Sequence, residues 1–147
     1  MTEINAITAE RKFEHEGIPA IWLTIVTPVI SGGRKHAALR MNAFYGHIAD
    51  TVEKHVERKL LRSAADDLND ALENGKPFEP YRVKLTFETV GDEKMLTVRR
   101  RFYTRTHNGI EHERVLSEMW NKRLGLPDKL SVEVADYSSS SEMTETS

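Results

Sequence analysis

Five of the seven long cations from Tyr81 to Arg105 fall at alternating positions: Arg82, Lys84, Arg99, Arg101 and Arg105, with Tyr103 among them. If these stretches are strands, all six side chains leave on one face, because successive residues of a strand point to opposite sides. Cations grouped around an aromatic ring suit an anionic ligand. Guanidinium and ammonium groups hold phosphate, and the ring stacks on a base. The same face has a plainer explanation. Glu88, Glu111 and Glu113, with Glu10, Glu14 and Glu16, are close enough in sequence to pair with these cations in a cross-strand ladder. Charged sheet faces are most often solvated surface. The ladder is the favoured reading, and nucleic acid is a disfavoured partner. The patch is a binding site only if the acids leave it free.

Other chemistry has less support. His36 and His47 are eleven residues apart and share nearly one helix face, and His47 with Asp50 has the i,i+3 spacing of two metal ligands. No HExxH or facial-triad pattern accompanies them, and His15, His55, His107 and His112 are scattered. Ser31, Ser63, Ser117 and Ser131 lack a nucleophile elbow. Ser31-Gly32-Gly33-Arg34-Lys35 resembles an anion-binding helix start but lacks the full spacing, so it reads first as a turn. There is no Cys, which excludes disulfides, thiolate catalysis and Cys-based metal sites. The sequence therefore predicts no catalytic residue, no metal site and no cofactor. Trp22 reads as a core residue, and Trp120 is ambiguous between core and binding spot.

The 147 residues are 39% hydrophobic and 30% charged, with a net charge of -2. That is a globular, water-soluble composition with no bulk attraction to nucleic acid or an anionic membrane. Met1–Gly17 has no basic stretch leading into an apolar one, so it is not a secretory signal. The longest apolar run, Ile18–Ile30, is interrupted by Pro19, Thr24, Thr27 and Pro28 and is too short to span a bilayer. These features predict a cytoplasmic protein with no membrane partner.

The elements that must position these residues follow from periodicity. Residues 1–8 read as loose and Glu10–Glu16 as a short edge strand. Ala20–Ile30 is a β-branched, aromatic strand, with Pro28 tolerable only at an edge or bulge. His36–Asn74 is helical and stops at Asn74-Gly75. Within it Met41, Tyr45, Ile48, Val52 and Val56 form one apolar stripe, while Leu61, Ala64, Leu68 and Leu72 form another on nearly the opposite side. A straight helix would bury opposite faces at its two ends and would be far longer than the domain's radius. Either the helix breaks near Glu57–Leu60, or its second half packs elsewhere on the chain, or Leu61, Ala64, Leu68 and Leu72 dock on a second copy. The first two are favoured.

Tyr81–Val90 and Met95–Arg105 alternate as a hairpin, with Val83, Leu85, Leu96 and Val98 inward and Arg100 also on the inward side. Ile110–Trp120 is a third strand with mixed alternation, Asn121–Pro127 a turn or short helix, and Leu130–Val134 a last short strand. The predicted fold is α+β: a long helical segment on an antiparallel sheet, in the order β-β-α-β-β-β. One domain spans residues 9–135, and residues 136–147 form a polar, Ser-rich, acidic tail expected to be disordered.

Several motifs in this order carry a resemblance: Pro28-Val29-Ile30-Ser31-Gly32, then Met41-Asn42, Tyr81–Phe87, Leu96-Thr97-Val98, His107-Asn108-Gly109, and the Trp120 to Leu126 segment with Gly125. Together they resemble the extracytoplasmic domain found at the C-terminus of RsiV-type anti-sigma factors and PdaC-type peptidoglycan deacetylases, over roughly residues 18–130. The departures are Thr106-His107-Asn108-Gly109, where the family has a Gly-Gly-Ala-His type of turn, and the lack of a signal or anchor. In RsiV the domain senses lysozyme; in PdaC catalysis belongs to another domain. The resemblance implies a non-catalytic binding fold and supplies no ligand residues. The sequence as a whole thus predicts a non-catalytic binding or structural module with an unknown protein partner or a second copy of itself. The alternative is an anion or nucleic-acid binder acting through the basic sheet face.

Overall fold

A computed structural model of the chain describes residues 2–131 and 137–139. The helical region is where local sequence most directly sets the architecture. Helix α1 (Lys35–His55) buries Ala37, Met41 and Tyr45, and helix α2 (Leu61–Glu73) buries Ala64, Leu68 and Ala71. Between them Val56–Leu60 is a π-helical turn. Such a turn holds one extra residue, which rotates everything after it by about 100° relative to an uninterrupted α-helix. That rotation, with Ala71 rather than Leu72 taking the last buried position, brings the second stripe onto the same sheet as the first. The break lies where the change of stripe places it.

The strands are β1 (Thr2–His15), β2 (Ile18–Gly32), β3 (Tyr81–Gly91), β4 (Met95–Arg105), β5 (Glu111–Asn121), β6 (Leu126–Ser131) and β7 (Tyr137–Ser139). They form one sheet in the order β1-β2-β3-β4-β5-β6, with β7 pairing Glu111–Glu113 on β5. The α+β architecture is the predicted one, with one correction: β2 and β3 run parallel. The helices connect these two strands, and a crossover of that length returns the chain in the same direction, which a tight turn cannot do. The β3–β4 hairpin has the predicted pairing, from Arg82 opposite Arg105 to Gly91 opposite Leu96. Val83 and Val98 are fully buried against the helices' side.

Two apolar clusters fill the space between helices and sheet. One joins Phe13, Ile21, Leu23, Val56, Ala64 and Val83. The other joins Ile30, Met41, Tyr45, Leu96, Val98 and Trp120. The β2–β3 pairing covers only Ile21–Ile25 opposite Tyr81–Leu85. Beyond Ile25, β2 pairs with β1 alone, and buried positions shift from Ile21, Leu23 and Ile25 to Pro28 and Ile30. Pro28 therefore sits where β2 has an open side, so its missing N–H costs no ladder bond there. The Asn42 side chain secures this part of the ribbon: its Oδ1 accepts from the Ile30 N–H at 2.7 Å and its Nδ2 donates to the Ile30 carbonyl at 2.9 Å.

Four expectations need correction. β1 starts at Thr2, not Glu10. It lies on the edge and is exposed at every position from Asn5 to Lys12, so no apolar alternation marks it. Trp22 is not core; it alternates with Ile21 and Leu23, which face the helices, and is 42% exposed on the other face. Tyr137–Ser139, assigned to a disordered tail, are a strand on β5; the other tail residues lie outside the described ones. Ala64 and Leu68, two of the four residues of the candidate self-association face, are buried by the chain itself at 0% and 1% exposure. Leu61 is half-buried and Leu72 is 57% exposed. The π turn is the physical reason: it gives the stripe an intramolecular partner. The expected strand Leu130–Val134 corresponds to β6, which starts earlier, and its Val132–Val134 portion lies outside the described residues.

Candidate binding face

The outer face of the sheet, opposite the helices, carries the predicted basic residues. Its centre is a paired ladder. Arg101 bonds Glu88 and Glu113, each at 3.3 Å. Arg99 lies 3.9 Å from Glu88, and the Tyr103 hydroxyl donates to Glu111 at 2.5 Å. Three of the six patch residues, Arg99, Arg101 and Tyr103, are thus held by acids. Of the expected acids, Glu88, Glu111 and Glu113 contribute, while Glu14 pairs with Lys12 at 3.4 Å instead. Val115 and Ser117 are buried on this face, directly opposite Arg101 and Arg99. Arginine stems readily cover such neighbours. That explains the mixed alternation of β5, which is buried on both sides.

The other three cations behave differently. Register places Lys12, Trp22, Arg82 and Arg105 in one row across β1 to β4: Lys12 opposite Trp22, Trp22 opposite Arg82, Arg82 opposite Arg105. Lys84 is in the next row, opposite Tyr103. Arg82, Lys84 and Arg105 are exposed, and none of them bonds an acid among the described residues. The Lys12 ammonium lies 5.7 Å from the centre of the Trp22 ring. Two arginines directly opposite each other with no acid bonded to either repel. Thr106 and His107 flank them in a notch of about 40 Å³ that Glu79 and Pro80 close. Sequence reasoning found the cations but missed Lys12 and Trp22. The missing signal was β1, whose pairing brings Lys12 to the patch.

A second polar cluster is buried under the helix. Arg100 Nε and Nη2 donate to the Glu118 carboxylate at 3.0 and 2.8 Å. The Tyr45 hydroxyl donates to the same carboxylate at 2.8 Å and accepts from Trp120 Nε1 at 2.7 Å. Phe44 stands edge-on to both Tyr45 and Trp120, with ring centres 5.0 Å away in each case. Burial, and next the Glu118 charge, push the Tyr45 hydroxyl well above the ordinary tyrosine range. Glu118 is 2% exposed. The adjoining cavity is about 10 Å³, which has no room for a substrate. The cluster is a satisfied ion pair that locks α1 onto β4 and β5, and it settles Trp120 as a core residue.

A cavity of about 1000 Å³ is at the end of the sheet where the Gly32-Gly33 turn meets the β3–β4 and β5–β6 turns; Arg34, Lys94, Lys122, Arg123, Asp92 and Glu93 line it. Asp92 is taken up by its own turn. Its Oδ1 accepts the N–H groups of Met95 and Lys94, which hold its carboxyl below the usual range. Lys122 Nζ donates to the Asp92 carbonyl. The histidines do not converge. His36 and His47 stand exposed on α1 and His112 exposed on β5. His107 stacks on Phe78 with ring centres 5.0 Å apart, and its Nδ1 accepts the Glu79 N–H. No group of three His, Asp or Glu able to hold a metal occurs among the described residues. No helix among them is long and apolar enough to cross a membrane.

No family model and no curated protein matches the chain. Among solved structures it is similar to the crystal structure of a member of the DUF3298 family, BF2082 from Bacteroides fragilis, with a TM-score of 0.62 and 15% sequence identity. The match covers 87% of this chain and 59% of the other, so this chain spans little more than half of that protein. At this identity the similarity establishes a shared fold.

Proposed function

We propose that the chain is a non-catalytic binding module that takes a linear polyanion along the row Lys12, Trp22, Arg82 and Arg105. One observation carries this reading. Arg82 and Arg105 oppose each other across β3 and β4 with no acid bonded to either among the described residues, beside an exposed tryptophan, while Arg99 and Arg101 further along β4 are paired. An anionic chain laid along the row relieves that repulsion, and Trp22 offers it a stacking surface. The resemblance to the RsiV-type domain fits a binding role. Of the residues that carry it, Met41, Asn42, Trp120 and Gly125 have structural jobs here. On this reading the ligand falls to the outer face.

The test is fluorescence anisotropy with a single-stranded oligothymidine, competed with inorganic polyphosphate, over a salt series. Three phosphate contacts give a log–log salt slope of about -2 for a single strand. Arg82→Glu abolishes binding of both probes. Trp22→Ala weakens the oligonucleotide by roughly tenfold or more and leaves polyphosphate nearly unchanged, since stacking contributes about 1–3 kcal/mol per base. Absence of binding to either probe at low salt overturns the reading.

A further inference from the structure

The edge strand β1 is 14 residues long, and Asn5–Lys12 are exposed at eight successive positions. A strand in a sheet normally hides at least one face in a core; here both are open. β1 pairs only with β2, so its outer row of N–H and C=O groups has no partner strand among the described residues. Proteins usually guard such an edge with charges, proline or a bulge. In β1 the guards stand at the ends. Glu3 is at one, and Glu10-Arg11-Lys12 and the irregularity at Phe13/Glu14 are at the other. Between them Ile4–Ala9 has no charge, no proline and no glycine, and Ile7 is 60% exposed.

We propose that β1 pairs antiparallel with β1 of a second copy of this chain, about a two-fold axis at Ile7, so that one sheet runs through the dimer. The charge pattern selects this partner and this register. With Ile7 opposite Ile7, Glu3 of each copy faces Arg11 of the other, Ile4 faces Glu10 and Thr2 faces Lys12, and no like charges oppose. Centring the axis on Ala6 or Thr8 loses both opposite-charge pairs. A two-fold interface repeats every contact, so one matched pair counts twice. Arg11 already donates one N–H to Glu53 in its own chain, and its guanidinium retains donors for a second carboxylate. The overlap from Thr2 to Lys12 gives a ladder roughly 35 Å long. The test of this pairing is separate from that of the polyanion reading, since Glu3, Ile7 and Arg11 lie outside the row of Trp22.

Sedimentation velocity over a concentration series tests it, with circular dichroism to show that each variant is folded. The wild type is expected to dimerise with rising concentration. Ile7→Lys sets two ammonium groups together on the axis, and Glu3→Arg opposes two arginines at both ends; each weakens the dimer about tenfold or more. The double variant Glu3→Arg/Arg11→Glu restores the pairs in reverse and returns the dissociation constant to within about threefold of wild type. A wild type that stays monomeric throughout overturns the proposal. So does a dimer indifferent to Ile7→Lys, or a double variant no tighter than Glu3→Arg alone.

Discussion

At the scale of residues, two arginines one position apart in β4 show how surroundings set the value of a charge. Arg101 is on the outer face, in an exposed pair with Glu88 and a half-buried one with Glu113. Arg100 is turned inward onto a carboxylate that is almost fully buried. Removing one partner of a buried pair leaves the other charge stranded, which costs about 3–5 kcal/mol, whereas an exposed pair contributes about 1 kcal/mol or less. Arg100→Ala is therefore expected to lower the urea midpoint steeply and Arg101→Ala much less, through loss of its pairs and of its stem's cover over Val115; equal effects would refute the distinction. Strand alternation alone puts Arg100 on the inward face. Its partner was not legible, because β5 buries residues on both sides and Glu118 looks like any surface acid in sequence. The same cluster governs alkaline behaviour. Burial raises the hydroxyls of Tyr45 and Tyr81 above the ordinary range, with Glu118 adding to the first and Asp67, 2.6 Å away, to the second. An acid whose folded pKa is raised keeps its proton longer in the native state, so its stabilising contribution is complete below the unfolded value near 10 and declines above it. Absorbance of tyrosinate should show Tyr45 and Tyr81 ionising only with unfolding; Tyr45→Phe and Tyr81→Phe variants that leave the alkaline transition unchanged would count against this.

At the scale of elements, the reversal of apolar stripes within one uninterrupted helical sequence was legible, and its cause was not. Propensity shows no break at Val56–Leu60, which has neither glycine nor proline. The wide turn exists because the sheet rewards burial of Ala64 and Leu68 more than an unbroken hydrogen-bond ladder does. Leu68→Ala should cost about 3 kcal/mol in thermal or urea unfolding at every protein concentration, as deletion of a buried leucine does. Leu72→Ala should stay within about 0.5 kcal/mol, as a surface change does. A Leu68 effect that grew on dilution would return that residue to an interface between chains. The helix start has an equally local constraint. Gly125 has φ +65°, and a Cβ there would lie 2.4 Å from the Ala37 Cα. The β5–β6 turn can cross the first turn of α1 this closely only without a side chain. Gly125→Ala is expected to destabilise by about 3 kcal/mol by the same denaturation assay, combining left-handed strain with the clash; a loss below about 1 kcal/mol would mean that the turn moves away freely.

At the scale of the whole molecule, the sheet has two parts of unequal support. β3, β4 and β5 pair along most of their lengths, and the inner side of β3 and β4 is covered by the two apolar clusters. This half was legible, since one covered and one wet face give the period-two pattern of Tyr81–Arg105. The β1–β2 ribbon shares only Ile21–Ile25 with β3, and past that point it is attached chiefly through Ile30, Ile4 and the Asn42 bonds. A strand wet on both sides has no period to read, so the sequence marks only the Glu10–Glu16 end of β1, and the parallel β2–β3 contact has no local signature. Local opening follows the same division, because segments with little apolar burial open at lower free energy than the core. Hydrogen exchange at low protein concentration should therefore show amides of β3 and β4 exchanging only through global unfolding, and those of Asn5–Lys12 exchanging orders of magnitude faster. Asn42→Ala, which removes the bonds to Ile30, should accelerate exchange in Val26–Ser31 while leaving Val83–Leu85 unchanged. Uniform protection of both halves in the wild type would mean that the ribbon and the three-strand core unfold as one unit, and the division drawn from their pairing would not hold.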